Sequence, residues 1–216
     1  TRSAASPGSA SSRARAASGS DSTMSHSAGS SAASGSRSSP NPRKPAELVD
    51  FKPTLKIREV WSSGVGGGND ILRLGLAPAS DGSHLYAADN DGRIIAFDAA
   101  RGRRLWRVDT GLPLAGGPAV GSGHVVAGSS DGWVVSLSAT DGREEWRVNV
   151  ASEVLAPPAV GPKAAYVRTV DGKLIALDLG DGRQAWFIQQ TMPRLSVRGT
   201  GSPVVDRNLV LCGFDN

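Results

Sequence analysis

Landmarks that recur about every forty residues predict an all-β chain, a β-propeller of four-stranded blades. Asp91-Gly92, Asp131-Gly132 and Asp171-Gly172 hold one position of the repeat, and Trp106, Trp146 and Trp186 hold another. Gly102, Gly142 and Gly182 hold a third, and Pro78, Pro118 and Pro158 a fourth. Between the landmarks run short apolar stretches of strand length, such as Trp133-Val134-Val135-Ser136-Leu137, each entered through an Asp-Gly pair. Asp-Gly suits the positive φ of a tight two-residue hairpin, so Gly92, Gly132 and Gly172 read as turn residues between paired strands.

The first segment, residues 1–43, is Ser, Ala, Gly and Arg with almost no large apolar side chain. It cannot bury enough surface to offset its ordering entropy and is expected to be disordered. It also lacks the apolar central run of a secretory signal. The partial propeller is expected over 44–216. Its first strand, within 55–65, begins Leu55-Lys56-Ile57-Arg58-Glu59-Val60-Trp61 and alternates apolar with charged residues. Its end resembles the close of each later repeat, so it reads as the last strand of a blade, the strand that closes a propeller ring by pairing the two chain ends.

Three repeats follow, at about 76–111, 117–151 and 158–191, each opening on Pro-Ala and closing at a tryptophan strand. The four tryptophans, Trp61, Trp106, Trp146 and Trp186, are expected to pack between neighbouring blades. A fourth repeat starts at Ser202-Pro203-Val204-Val205 and reaches Asn216 where its hairpin turn is expected, which reads as part of a longer propeller. One spacing is irregular. Pro158 to Pro203 is forty-five residues, and the extra length falls in Thr191–Thr200. Insertions on a repeat scaffold map to loops on one face, often the binding face. There Leu195 and Val197 flank Ser196, with Arg194 and Arg198 outside them. Two roles fit: apolar anchors beside a carboxylate-pairing cation, or a cap over the propeller's own core.

Composition narrows the function. Residues 1–45 carry six Arg or Lys against Asp21 alone, so the net +4 belongs to the tail and the remainder sums to −1. A nucleic-acid partner has little support. Cys212 alone excludes an internal disulfide and any multi-thiolate metal site, and its apolar surroundings suggest a buried, inert thiol. Asp89-Asn90-Asp91-Gly92 lacks the further acidic ligands of a calcium loop and reads as a turn. His84 and His124 share a repeat position and read as structural. No nucleophile–base pair, phosphate loop or carboxylate pair stands out, so no catalytic residue, metal or cofactor is expected.

The repeat ending Ala96-Phe97-Asp98…Gly102…Trp106, seen again as Ala176-Leu177-Asp178…Gly182…Trp186, resembles the tryptophan motif of the pyrroloquinoline-quinone (PQQ)-like propeller superfamily. Lys44-Pro45-Ala46-Glu47-Leu48-Val49-Asp50-Phe51 and Met192-Pro193-Arg194-Leu195-Ser196-Val197-Arg198-Gly199 narrow the resemblance to the BamB family, lipoprotein subunits of the outer-membrane β-barrel assembly (BAM) machinery. That resemblance implies an eight-bladed propeller on the periplasmic face of the cell outer membrane. It implies a non-enzymatic scaffold that binds the periplasmic POTRA domains of BamA and assists insertion of unfolded outer-membrane protein clients. The family's contact loop falls on Leu195, Val197 and Arg198, with Val197 standing where leucine is also found. A second, acidic contact patch is implied in a later blade, beyond Asn216. Membrane association is implied only through a lipid anchor that residues 1–50 do not contain. The alternative on the same propeller is a PQQ-dependent quinoprotein dehydrogenase. Such enzymes carry more calcium-ligand carboxylates than stand here, and many add paired cysteines.

Overall fold

The computed structural model describes residues 58–66, 75–191, 201–207 and 209–214, all within the unit Leu55–Asn216. The tail at 1–43 and the motif at 44–51 lie outside the described residues.

Among the described residues, every regular element is a β-strand. The first blade comprises β1 (Ala79–Ser80), β2 (His84–Ala88), β3 (Arg93–Asp98) and β4 (Arg104–Asp109). The second comprises β5 (Leu114–Gly121), β6 (His124–Ser129), β7 (Trp133–Ser138) and β8 (Glu144–Asn149). The third comprises β9 (Ala159–Val160), β10 (Ala164–Arg168), β11 (Lys173–Asp178) and β12 (Gln184–Gln189). Each forms one antiparallel four-stranded sheet with strands in sequence order, the meander of a propeller blade. β13 (Val204–Asp206) and β14 (Leu209–Leu211) open a fourth as a two-stranded sheet.

The turns explain the repeat landmarks. The Asp-Gly connections are longer than the expected two-residue hairpin. Asp89 N–H donates to Arg93 O and Gly92 N–H to Asp89 O, so a type I-like turn ends on Gly92 at φ 98°. A three-residue loop of that kind needs a left-handed last residue, which glycine adopts without a Cβ penalty. Gly132 and Gly172, both at φ 87°, repeat it. The residue before the Asn/Ser/Val of this turn caps it from the side: Asp89 Oδ1, Ser129 Oγ and Thr169 Oγ1 accept from the N–H of Arg93, Trp133 and Lys173.

The core lies between blades, not within them. Tyr86, Ile94, Ala96 and Trp106 of the first blade meet Leu114, Val125, Ala127, Val135 and Leu137 of the second in one buried cluster. Val126, Val134 and Trp146 of the second meet Val154, Ala165, Val167, Ile175 and Leu177 in another. A middle blade therefore buries both faces, which is why Val134, Val135, Ser136 and Leu137 of β7 are all buried instead of alternating. Gly75, beside β1, and Gly116 on β5 form a parallel bridge that joins the first two blades at their first strands.

Of the expected closing strand at 55–65, residues 58–65 carry no strand ladder. A blade's outer strand bonds only to the third strand of its own blade, and none of the described strands fills that place. Cys212 departs from expectation. It follows β14 and is only half-buried, because the sheet that would enclose it has two strands among the described residues. Burial still pushes its thiol pKa up, with Arg168 acting against that.

Candidate functional site

Each tryptophan strand ends a blade, and those of Trp106 and Trp146 dock on the next one. Trp106 pairs across the ladder with Ala96, Trp146 with Ser136 and Trp186 with Ala176. A small residue opposite the indole, and a β-bulge just after it, leave room for the ring to lean out of its sheet. Trp106 Nε1 then donates to Ala139 O of the second blade at 3.0 Å, and Trp146 Nε1 to Leu179 O of the third at 2.7 Å. Three residues past each acceptor stands a glycine at positive φ, Gly142 (75°) and Gly182 (72°). A Cβ on either would sit 2.7 Å from the docked ring. Trp61 makes the same contacts to the first blade without a ladder of its own. Its Nε1 donates to Ala99 O at 2.9 Å, and its ring covers Gly102.

Trp186 differs. It stacks on Tyr166 at 5.8 Å, much as Trp106 stacks on Tyr86 at 5.9 Å, yet it is 42% exposed. The acceptor matching Ala139 and Leu179 would fall at about residue 224 by the repeat register, past Asn216. With it, Phe187 and Ile188 of β12 and Val204, Leu209 and Leu211 of the fourth sheet are exposed.

The polar groups in the seams are occupied. Tyr86 hydroxyl donates to Asp81 Oδ2 at 3.0 Å and lies 3.4 Å from the Ala139 carbonyl. Burial opposes ionisation of Asp81. Bonds from the His84 ring and N–H, from Ser83 N–H and from Tyr86 outweigh it and hold the carboxyl well below its usual range. Burial and the neighbouring Asp81 push the Tyr86 phenol well above its own. Arg147 ties two blades, donating to Glu144 of its own strand and to Thr110 O of the preceding blade at 2.9 Å.

His124, Ser136 and Glu145 form a serine–histidine–carboxylate cluster on the second blade. Glu145 Oε2 lies 2.5 Å from His124 Nδ1, and Ser136 Oγ approaches that same nitrogen at 3.5 Å while donating to the same carboxylate at 3.3 Å. A proton relay needs serine and carboxylate on opposite ring nitrogens. This cluster holds strands together instead. Among the described residues no group of three or more His, Cys, Asp or Glu could hold a metal ion, and no helix is long and apolar enough to cross a membrane.

Leu195, Val197 and Arg198 lie outside the described residues. The chain on either side is described. Gln190 N–H donates to Gly172 O, as Thr110 does to Gly92 and Val150 to Gly132, so the third blade closes regularly up to the irregular stretch. On the far side, Gly201 lies against Arg168, whose Nη1 is 3.5 Å from where a Gly201 Cβ would be. Arg168 is 4% exposed and stacks over the Phe214 ring at 5.3 Å. Sequence reading passed over this arginine. The signal was present, because its repeat position holds Ala88 and Gly128 in the earlier blades.

The model of the family described as outer membrane protein assembly factor BamB matches residues 58–110 and 90–216. The outer membrane protein assembly factor BamB of Pseudomonas aeruginosa is 42% identical over 82 residues, 38% of this chain and 22% of that protein. The one from Alkalilimnicola ehrlichii is 41% identical over 75 residues, 35% of this chain and 20% of that protein. The aligned part thus spans about a fifth of the length of these relatives. The crystal structure of BamB from Moraxella catarrhalis superposes with a TM-score of 0.57 at 26% identity, over 62% of this chain and 40% of that one. A computationally designed protein, Ika8, superposes with a TM-score of 0.50 at 19% identity and shares the fold alone.

Proposed function

Because the chain belongs to the BamB family of outer membrane protein assembly factors, matched by the family model across 58–216, we propose that it is part of a non-enzymatic scaffold subunit of the BAM complex. The scaffold acts at the periplasmic face of the outer membrane, where it binds the BamA POTRA domains and assists folding and insertion of client barrels. The family match is the observation that carries this reading. Among the described residues, His124, Ser136 and Glu145 hold the strands of one blade together, while Tyr86 and Arg147 reach carbonyls of a neighbouring blade.

The docking element is the 192–199 stretch. Leu195 and Val197 supply apolar anchors, and Arg198 pairs with a carboxylate on the partner. The test is capture of purified BamA POTRA domains by the full-length protein, wild type beside Arg198→Glu. Reversing the charge of a pairing arginine is expected to weaken capture by about tenfold or more while the thermal melt stays unchanged. Undiminished capture by the variant would remove Arg198 from the site. A folded wild type that captures nothing would remove the partner.

A further inference from the structure

The outer strands of the three blades hold the same place in their sheets and present different edges. β4 carries Arg104, Arg107 and Asp109, and β8 carries Glu144, Glu145 and Arg147. β12, Gln184-Ala185-Trp186-Phe187-Ile188-Gln189, carries no charge. Charged side chains on an edge strand are a common guard against another strand adding to it. Of these three edges only that of β12 lacks the guard.

This edge is open for a reason independent of the seam beside it. Side chains alternate along a strand, so Trp186 and Ile188 stand on the face that Trp106 and Val108 turn toward the second blade. Phe187 stands on the other face, at the repeat position of Arg107 and Arg147. Arg147 is exposed with a blade on either side of its own, and Phe187 is 50% exposed in the equivalent place. The backbone is open as well. Gln190 N–H bonds inward to Gly172 O, while Ile188 and Trp186 stand opposite Leu174 and Ala176 in the same ladder. Inward and outward pairs alternate in an antiparallel ladder, so the N–H and C=O of Phe187 and Gln189 point outward. Among the described residues no strand pairs with them.

We infer that the outer edge of β12 is a strand-addition site for an extended, uncharged polypeptide segment of alternating apolar and polar residues, as a barrel client presents before it folds. Outward donors and acceptors at alternate residues match another extended backbone. The missing charge selects the guest: an apolar strand laid along β4 or β8 would desolvate their ions, whereas on β12 it meets Phe187 and neutral side chains. Phe187 supplies the aromatic half of a cross-strand pair. That the guest is a client strand rests on the scaffold role proposed above.

The test uses the full-length protein and a fluorescent Val-Thr repeat peptide about ten residues long, the length of a transmembrane strand. Its control is the same peptide with two adjacent central residues replaced by proline, which removes a donor from each of its edges. Fluorescence anisotropy should show the repeat peptide bound by wild type and the proline peptide not bound. Phe187→Arg installs the residue of the two earlier blades and should weaken binding about fivefold or more at an unchanged melting temperature. Arg107→Ala on β4 should leave binding unchanged. Equal binding of the proline peptide, no binding by wild type, or a Phe187→Arg variant that binds as wild type does would overturn the inference. Self-association of wild type in sedimentation, lost in Phe187→Arg and with no peptide bound, would give the edge to a second copy and overturn the guest proposed. Capture of POTRA domains by the same preparations keeps the two readings apart. Phe187→Arg should capture as wild type does. A wild type that binds the peptide and captures nothing sinks the BamA partner and upholds the edge, and the reverse result sinks the edge alone.

Discussion

Trp146 and Trp186 sit in the same motif, on equivalent strands, opposite equivalent small residues, and meet different fates. Trp146 is 7% exposed and bonded to Leu179 O, while Trp186 is 42% exposed and stacks on Tyr166. The sheet that carries a tryptophan here does not bury it. The turn of the following blade does, by offering one carbonyl and one glycine face. Stability in such an array is a sum of neighbour terms, and a motif contributes only when its neighbour is present. Trp61 makes the point from the other side. It has no ladder of its own and still docks, because the first blade supplies Ala99 and Gly102.

The sharpest way to break that comparison is to truncate both rings. Trp146→Ala removes a buried indole and its bond, at an expected cost of about 3–5 kcal/mol. Trp186→Ala in this chain should cost about 1 kcal/mol, since the ring is already half in water. Urea unfolding of the two variants measures the difference. In a longer chain that carries the next repeat, the two costs should converge. Equal costs in this chain would place the stabilisation within the blade and not at the seam.

The receiving side can be separated into backbone strain and contact. Gly82 has φ 94° with nothing within 4 Å of an added Cβ, whereas Gly142 has φ 75° with the Trp106 ring 2.7 Å away. Gly82→Ala should cost about 1 kcal/mol of conformational strain alone. Gly142→Ala adds displacement of a docked ring and should cost about 2–4 kcal/mol in the same unfolding assay. Similar values for both would mean that the glycine is kept for its turn and that the ring adapts around it.

The blade repeat, the turn glycines and the tryptophans between blades were legible because each follows from a local rule that repeats with the sequence. The exposure of Trp186 was not, because burial is a property of two blades and the motif reports only one. Cys212 misled for the same reason: an apolar stretch predicts burial only if strands stand on both sides of it. Arg168 was legible as a break in register, from Ala88 and Gly128 to arginine. What it meets was not legible, because the Phe214 ring it stacks on stands far along the chain in the next repeat. The proposed docking stretch was legible only as extra length with two apolar residues between arginines, and it lies outside the described residues.

The smallest expected effect concerns what one seam has and the next lacks. Asp81 braces Tyr86 against the second blade, while the same repeat position holds Gly121 and Gly161 in the other two. With its folded-state pKa depressed, the Asp81 carboxylate contributes stability above the unfolded value of about 4 and loses it as pH falls toward the folded value. The pair is part-exposed, which holds its contribution to about 1 kcal/mol. Asp81→Asn should therefore lower the urea midpoint slightly at pH 7, and the gap to wild type should close as the pH drops below about 4. The variant's acid limb should be shallower than that of wild type, because its amide does not titrate. A gap that stays constant from pH 7 to pH 3 would show that Asp81 acts through shape and not through charge. The first seam would then differ from the second in geometry alone.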